Sequence, residues 1–191
     1  QGGPSGVVGP QVAPAALATA GSGARGARKV TADCAKETCV TAGGPLNIGK
    51  GQGGTEGAPR YYSGNGTPVG AISIRADHVV VQGLTVSQPN DTGISIEGND
   101  GTVQDNTVDG PDGHDGDTLR FFGNNINILH NTLKNTNNMR GKRHADCMQT
   151  FVTSPTPRPT VHLNHNTRKN IPNPSPLTEP ASSPSGGPAQ P

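Results

Sequence analysis

The segment Asp115-Gly116-Asp117-Thr118-Leu119-Arg120-Phe121 has a counterpart further along the chain, His144-Ala145-Asp146-Cys147-Met148-Gln149-Thr150. Both have the form polar-x-Asp-x-apolar-polar-x. Each is followed by a second shared phrase, Leu129-His130-Asn131-Thr132-Leu133 in the first case and Asn164-His165-Asn166-Thr167-Arg168 in the second. The same phrase occurs earlier as Gln104-Asp105-Asn106-Thr107-Val108. A phrase that returns in this way indicates a repeat protein.

The spacing of the repeats predicts a β-solenoid. A looser copy of the phrase is Gln82-Gly83-Leu84-Thr85-Val86, and the matched threonines are Thr85, Thr107, Thr132 and Thr167, at steps of 22, 25 and 35 residues. Steps of about 20 to 25 residues suit one coil of a β-solenoid and are too short for paired-helix repeats of about 33 residues or more.

Short runs lie before and between the threonines, four of them alternating between apolar and polar residues and one, Val79–Val81, wholly apolar. Alternation with a period of two predicts β-strands, and Gly, Asn and Asp separate the runs as turn residues do. The runs are Ile72–Ile74, Val79–Val81, Ile94–Ile96, Ile126–Ile128 and Val161–Leu163. The fold class expected from them is all-β, with strands stacked in parallel.

Two of these phrases carry a family resemblance. Gly93-Ile94-Ser95-Ile96-Glu97-Gly98 and Ile128-Leu129-His130-Asn131-Thr132-Leu133 resemble the coils of right-handed parallel β-helix proteins of the pectate-lyase-like superfamily, and the resemblance covers about residues 54–167. It implies a secreted, extracellular protein that cuts, epimerises or binds acidic polysaccharides. The fold hosts many activities, so the resemblance indicates fold more strongly than function.

Composition agrees with such a fold. Apolar residues make up only 29% of the chain and aromatic residues 3%, with no Trp. A β-helix tolerates this because small interior side chains stack on their neighbours and the coils share continuous hydrogen-bond ladders. The net charge of +1 indicates no preference for nucleic acid or membrane. No apolar run is long enough for a transmembrane helix.

Three segments are expected along the chain. They are a disordered lead at 1–28, a β-helix domain at 29–168 and a disordered tail rich in Pro and Ser at 169–191. No capping helix follows the last expected coil, although natural solenoids usually cover that edge. Either the chain is cut short relative to its relatives or a partner covers the edge. We expect truncation, which would also leave Cys147 without a partner.

The three cysteines lie at positions 34, 39 and 147. Cys34 and Cys39 can close a small disulfide loop in an oxidising compartment. The alternative is two unpaired thiols.

Aligning the repeats converts the sequence into a surface, because matched positions on successive coils stack about 4.8 Å apart. The alignment predicts three neighbouring columns of polar side chains. They are Asn90, Asp115 and His144, then Thr92, Asp117 and Asp146, and then the outward-facing Ser95, Arg120 and Gln149.

These columns suggest a polysaccharide lyase that works by β-elimination. That reaction needs a cation to neutralise the substrate carboxylate and a base to remove the neighbouring proton. The candidate catalytic residues are Arg120, His144, Asp117 and Asp146, and the candidate substrate-binding residues are Lys142, Arg143, Gln149 and His114. Hard carboxylate oxygens from Asp115, Asp117 and Asp146 suit Ca²⁺. A hydrolase would instead use two of the aspartates as acid and base.

Structural roles compete with these assignments. Asp and Asn at solenoid turns commonly bond to nearby backbone N–H groups, and Asp117 and Asp146 fit that role as well. Asn106, Asn131 and Asn166 form one column and are interpreted as a structural Asn ladder. A non-catalytic β-helix that binds glycan or a cell surface, and an inactive truncated remnant, remain alternatives to the enzyme.

Overall fold

A computed structural model of the 191-residue chain describes residues 31–112, 115–136, 145–151 and 160–171. Within these ranges the chain forms β-strands and one 3-10 helix, Lys50–Gln52. The strands are β1 Thr38–Cys39, β2 Leu46–Ile48, β3 Arg60–Val69, β4 Ile72–Ile74, β5 Val79–Ser87, β6 Ile94–Ile96, β7 Thr102–Gln104, β8 Thr107–Asp109, β9 Leu119–Phe121, β10 Ile126–Leu129, β11 Thr132–Lys134, β12 Met148–Gln149, β13 Val161–Asn164 and β14 Thr167–Lys169. In the part of the chain that is described, no helix is long and apolar enough to cross a membrane.

The strands form two sheets whose strand pairs are parallel. The five-stranded sheet has the order β12-β9-β6-β4-β2. The nine-stranded sheet has the order β13-β10-β7-β5-β8-β11-β14, with β3 paired to β5 and β1 to β3. The chain passes from the five-stranded sheet to the nine-stranded sheet and back several times, and each passage is called here a repeat unit. This all-β path of parallel strands is compatible with a β-helix.

Strand register confirms the repeat alignment. Thr85, Thr107, Thr132 and Thr167 are successive partners along the nine-stranded sheet. The last repeat unit, β12 to β14, therefore aligns with the one before it despite the step of 35 residues between their threonines.

The core consists of columns of aliphatic side chains, one from each repeat unit. Alternation within the short strands places every second residue inside. The fully buried side chains include Ile72, Ile94 and Leu119 of the five-stranded sheet and Val81, Val103, Ile128, Val86, Val108 and Leu133 of the nine-stranded sheet. A core of this kind needs few aromatic residues, in agreement with the composition.

The predicted Asn ladder is confirmed. Asn131 Oδ1 accepts hydrogen bonds from Asn106 N at 3.0 Å and Asn106 Nδ2 at 3.1 Å. Asn166 Oδ1 accepts in the same way from Asn131 N at 2.9 Å and Asn131 Nδ2 at 3.1 Å. Asn106 and Asn131 are fully buried, so these bonds satisfy polar groups that water cannot reach.

Glycine is required where successive repeat units turn out of the five-stranded sheet. A Cβ atom on Gly123 would lie 1.8 Å from the carbonyl oxygen of Gly98, and one on Gly98 would lie 2.0 Å from that of Ala76. Distances this short exclude a side chain unless the backbone moves. The two glycines thus allow neighbouring repeat units to approach closely.

Gly64-Asn65-Gly66 has the composition of a turn but lies within the long strand β3, where the register with β5 shifts between Ser63 and Thr67. A bulge accommodates these turn-forming residues without ending the strand. Cys34 and Cys39 are joined by a disulfide. The expected disordered lead and residues 172–191 of the expected disordered tail lie outside the described residues. The first three residues of that tail are described: β14 extends to Lys169, Asn170 Nδ2 donates to Asn135 Oδ1 at 2.9 Å, and Ile171 packs against the core.

Candidate functional site

The residues predicted to form a site meet where β9 begins. Asp117 lies two residues before the start of β9, and its side chain is fully buried. Arg120 is the central residue of β9, in register with Ser95 of β6 and Gln149 of β12. This is the predicted outward column, because the residues on either side of Arg120 are buried in the core.

Arg120 is held by two carboxylates. Its Nε donates to Asp117 Oδ2 at 2.5 Å, and its Nη2 donates to Asp115 Oδ2. The Arg120 side chain is 16% exposed, whereas that of Asp115 is 54% exposed. These bonds use two of the five N–H donors of the guanidinium, and the two carboxylates offset its positive charge, so Arg120 attracts a substrate carboxylate less strongly than an unpaired arginine would.

Asp117 also connects neighbouring repeat units through the backbone. Its Oδ1 accepts the Asp146 N–H at 2.7 Å, while the Gly93 N–H donates to its carbonyl oxygen at 2.8 Å. The Thr118 N–H in turn donates to the Asp146 carbonyl oxygen at 3.0 Å. Asp117 therefore has the structural role that competes with a catalytic one.

The protonation of this cluster follows from burial and pairing. Burial raises the pKa of the Asp117 carboxyl above its ordinary value and outweighs the Asp146 N–H and the Arg120 guanidinium, which act in the opposite direction. Burial acts to lower the pKa of Arg120, but its bonds to Asp117 and Asp115 outweigh this, and the net pKa is raised. Arg120 therefore stays positively charged and cannot serve as a base in this arrangement.

The structure brings together five of the predicted site residues. Gln149 Nε2 completes the group by donating to Asp146 Oδ2 at 3.2 Å. The five are Asp115, Asp117, Arg120, Asp146 and Gln149, and they are called here the Arg120 cluster. The other predicted residues, His114, Lys142, Arg143 and His144, lie outside the described residues, so their assignment as base or substrate contacts stays a prediction.

The predicted calcium ligands do not converge on a common point. Among the described residues, which include Asp115, Asp117 and Asp146, no three His, Cys, Asp or Glu side chains form a group that could hold a metal ion. Both oxygens of Asp117 accept hydrogen bonds, one from the Asp146 N–H and one from Arg120. The three carboxylates therefore do not make a cation site by themselves, and calcium binding stays a prediction.

A cleft that the sequence reasoning missed lies on the outer face of the nine-stranded sheet. It has a volume of about 520 Å³ and is lined by Thr55, Glu56, Gly57, Pro59, His78, Val80, Asp100, Thr102 and Asn125. His78, Asp100 and Asn125 follow one another at the same steps of 22 and 25 residues that separate the first three threonines. That shared spacing was the available signal, because it places the three side chains in one column.

Comparison with protein-family models, curated proteins and solved structures gives no significant match. The functional conclusion therefore depends on the residues and geometry of this chain.

Proposed function

We propose that the chain is a right-handed parallel β-helix that binds an acidic polysaccharide, and that the Arg120 cluster has a structural role. The observation that carries this proposal is a group of exposed polar side chains on the last described repeat unit, of which Arg168 and Lys169 are cationic. His162 lies on β13, and Arg168 and Lys169 lie on β14. All three are exposed.

The setting of these side chains leaves them available to an anion. Lys169 is in register with Lys134 of β11, and Lys134 is already paired with Asp109 at 2.8 Å. Lys169 forms no ion pair with another described residue. A second cation beside a neutralised one attracts an additional carboxylate more strongly than a balanced ion pair does.

Arg168 occupies an unusual position. It is in register with Leu133, which is fully buried, yet Arg168 itself is exposed. Leu163, in register with the buried Ile128, is also 40% exposed. The inward positions of the last described repeat unit are therefore accessible from the end of the stack, and one of them presents a guanidinium, which can bind a carboxylate through two parallel hydrogen bonds.

Charge is distributed unevenly along the chain and supports the same proposal. Residues 31–136 contain six Lys and Arg against twelve Asp and Glu, whereas residues 137–191 contain six Lys and Arg against two Asp and Glu. The small overall charge of +1 conceals this division. A polyanion is repelled by the acidic part of the chain and attracted to the basic part, so we expect it to bind residues of the basic part.

Secretion is part of this proposal, whereas catalysis belongs to a second candidate function. The disulfide between Cys34 and Cys39 supports an oxidising, extracellular location. Within the Arg120 cluster, Asp117 is buried and Arg120 is held by two carboxylates, so neither of these two predicted catalytic residues is placed to act as a base. A lyase reaction would need His144, Lys142 or Arg143, and it is therefore the second candidate rather than the first.

Binding can be tested by isothermal titration calorimetry with polygalacturonate. The matched ligand is the fully methyl-esterified polymer, which has the same backbone without carboxylate charge. We expect binding of the first polymer only, weakened by salt. Single-stranded DNA serves as an unrelated polyanion. Equal affinity for DNA would mean that charge alone, and no polysaccharide specificity, explains binding.

The location can be tested with paired variants. Replacing Arg168 and Lys169 together with Gln should reduce polygalacturonate affinity by about tenfold, since each exposed charge pair contributes up to about 1 kcal/mol. The control, Lys36→Gln with Lys50→Gln, removes the same charge from the opposite end of the described repeats. A control as damaging as the test variant would contradict the assigned surface.

The lyase alternative has its own readout. Ultraviolet absorbance of unsaturated products, followed with and without Ca²⁺, reports β-elimination directly. We expect no increase above the uncatalysed rate. An increase that requires Ca²⁺ and is lost in His144→Ala would establish the enzyme and overturn the non-catalytic proposal.

A further inference from the structure

The cleft near Glu56 is a preformed feature separate from the last described repeat unit, which carries Arg168 and Lys169, and from the Arg120 cluster. One wall is a tight loop in which Thr55 and Ala58 exchange two backbone hydrogen bonds of 3.1 and 3.0 Å. Gly57 adopts a φ of 76°, a left-handed conformation that glycine accepts readily. The side chain of Glu56 therefore stands at the tip of an ordered turn.

This loop is anchored to the next repeat unit. The Gly54 N–H lies 3.2 Å from the His78 carbonyl oxygen, and the Arg60 N–H donates to the same oxygen at 2.9 Å. A Cβ atom on Gly54 would lie 2.4 Å from the Ala58 carbonyl oxygen, so the loop can close tightly only with glycine there. The wall is thus fixed at both ends before any ligand arrives.

The opposite wall is a column of three side chains from successive repeat units. His78, Asp100 and Asn125 all have left-handed backbone conformations, with φ of 53°, 54° and 55°. Asn125 Nδ2 donates to Asp100 Oδ1 at 2.7 Å, and His78 Nε2 lies 3.9 Å from Asp100 Oδ2. These contacts orient Asp100 between an amide and an imidazole while leaving its carboxylate 40% exposed.

The floor and charge of the cleft indicate the kind of ligand. Val80 and Pro59 supply apolar surface, and Thr55 and Thr102 add hydroxyl groups. The cleft is also lined by two carboxylates, Glu56 and Asp100, and by the imidazole of His78. Glu56 has no ion-pair or hydrogen-bond partner among the described residues. The volume of about 520 Å³ is within the usual range of small-molecule sites.

From this combination we infer that the cleft binds a short oligosaccharide carrying amino groups, with Glu56 and Asp100 receiving the ammonium charge. Vicinal hydroxyls and an apolar ring face suit a cleft with polar walls over a small apolar floor. The carboxylates attract a cationic sugar and repel a uronate. The cleft and the last described repeat unit would thus select sugars of opposite charge, and this inference does not depend on the function proposed above.

The probe is the fully deacetylated trisaccharide of glucosamine, followed by chemical shift changes in the ¹⁵N-labelled chain. Cellotriose serves as a neutral match and trigalacturonate as an acidic one. The glucosamine trisaccharide should give saturable shifts at Glu56, Gly57, Asp100 and Thr102, and cellotriose should bind more weakly at the same residues. Trigalacturonate should not move them. No saturable shifts with the glucosamine trisaccharide, or stronger binding of trigalacturonate at these residues, would overturn the inference.

Two pairs of variants separate a ligand site from a surface of incidental charge. Glu56→Gln should weaken binding of the glucosamine trisaccharide between about two- and fivefold, the range of one exposed ion pair, without changing cellotriose binding. Glu97→Gln is the control, since Glu97 pairs with Arg75 and does not line the cleft. Equal weakening by both changes would refute a defined site.

A steric test is independent of charge. Thr102→Tyr places a large side chain on the cleft floor at an outward strand position where aromatic residues are tolerated, and it should abolish binding. Asn127, the register partner of Thr102 on β10, is not part of the cleft lining, so Asn127→Tyr should leave the affinity unchanged. Unchanged binding in Thr102→Tyr would place the ligand elsewhere.

Discussion

Replacing Asn131 with Ala tests how much the Asn ladder contributes to stability. Asn131 is fully buried, and its side chain makes four hydrogen bonds. Its loss removes the acceptor of two N–H bonds on Asn106, one from the backbone and one from the side chain. Asn106 is itself fully buried, so water cannot replace that acceptor freely.

The expected cost follows from these two groups. Each buried polar group left unpaired costs about 1–3 kcal/mol, so Asn131→Ala should lower the free energy of unfolding by about 4 kcal/mol. The control is Asn127→Ala, four residues earlier on the outward face of β10, where no side-chain hydrogen bond is made to another described residue. The control should change stability by less than about 0.5 kcal/mol.

Urea-induced unfolding followed by far-ultraviolet circular dichroism measures both variants against the original chain. We expect a large loss of stability for Asn131→Ala and almost none for Asn127→Ala. A difference between the two variants below about 1 kcal/mol would refute the claim that the ladder satisfies otherwise unpaired buried groups.

Three further predictions concern other parts of the chain. Gly123→Ala should lower the free energy of unfolding by about 3 kcal/mol, because the added Cβ would meet the Gly98 carbonyl oxygen. The control is Gly44→Ala, which has no atom within 4 Å of the added Cβ and should change stability by no more than about 1 kcal/mol. Thermal melts compare the two variants, and similar losses would contradict the close approach at Gly123. The raised pKa of Asp117 means that the folded chain favours the protonated carboxyl. The stability of the original chain relative to Asp117→Asn should therefore fall as the pH rises from the ordinary Asp value of 3.8 through the raised pKa. A rise in relative stability over that pH range would contradict the raised pKa. Burial raises the pKa of the Cys147 thiol, so a thiol reagent should modify the native chain slowly. After unfolding without reductant, the reagent should label one cysteine per chain, because the other two form the disulfide. Three labelled cysteines would exclude the disulfide.

The repeat pattern predicted which residues of successive repeat units lie in register, but not which neighbours their side chains bind. Thr85, Thr107 and Thr132 lie in register as the phrase alignment predicts, because strand pairing in a repeat fold follows the repeat itself. Alignment does not specify which neighbour a long side chain binds. Arg120 occupies its predicted column, yet it turns towards Asp115 and Asp117, and this pairing supports the structural role that we propose for the cluster.

Features outside the repeat phrase were harder to predict. The loop that carries Glu56 has no counterpart in the described connections at 75–78, 97–101 and 122–125, so sequence comparison among these repeat units could not place it over the sheet. Gly64-Asn65-Gly66 has the composition of a turn, but the pairing of β3 with β5 on both sides of it continues the strand through a bulge. Local turn preference was overridden by the ladder hydrogen bonds of the neighbouring strand.

The most direct test of the proposed function is to map trigalacturonate binding onto the ¹⁵N-labelled chain. We expect saturable shifts at His162, Arg168 and Lys169 that diminish as salt is added, and no shifts at Glu56 or Asp100. Binding centred on Ser95, Arg120 and Gln149, or no binding to a folded chain, would contradict the claim that the last described repeat unit recognises an acidic polysaccharide.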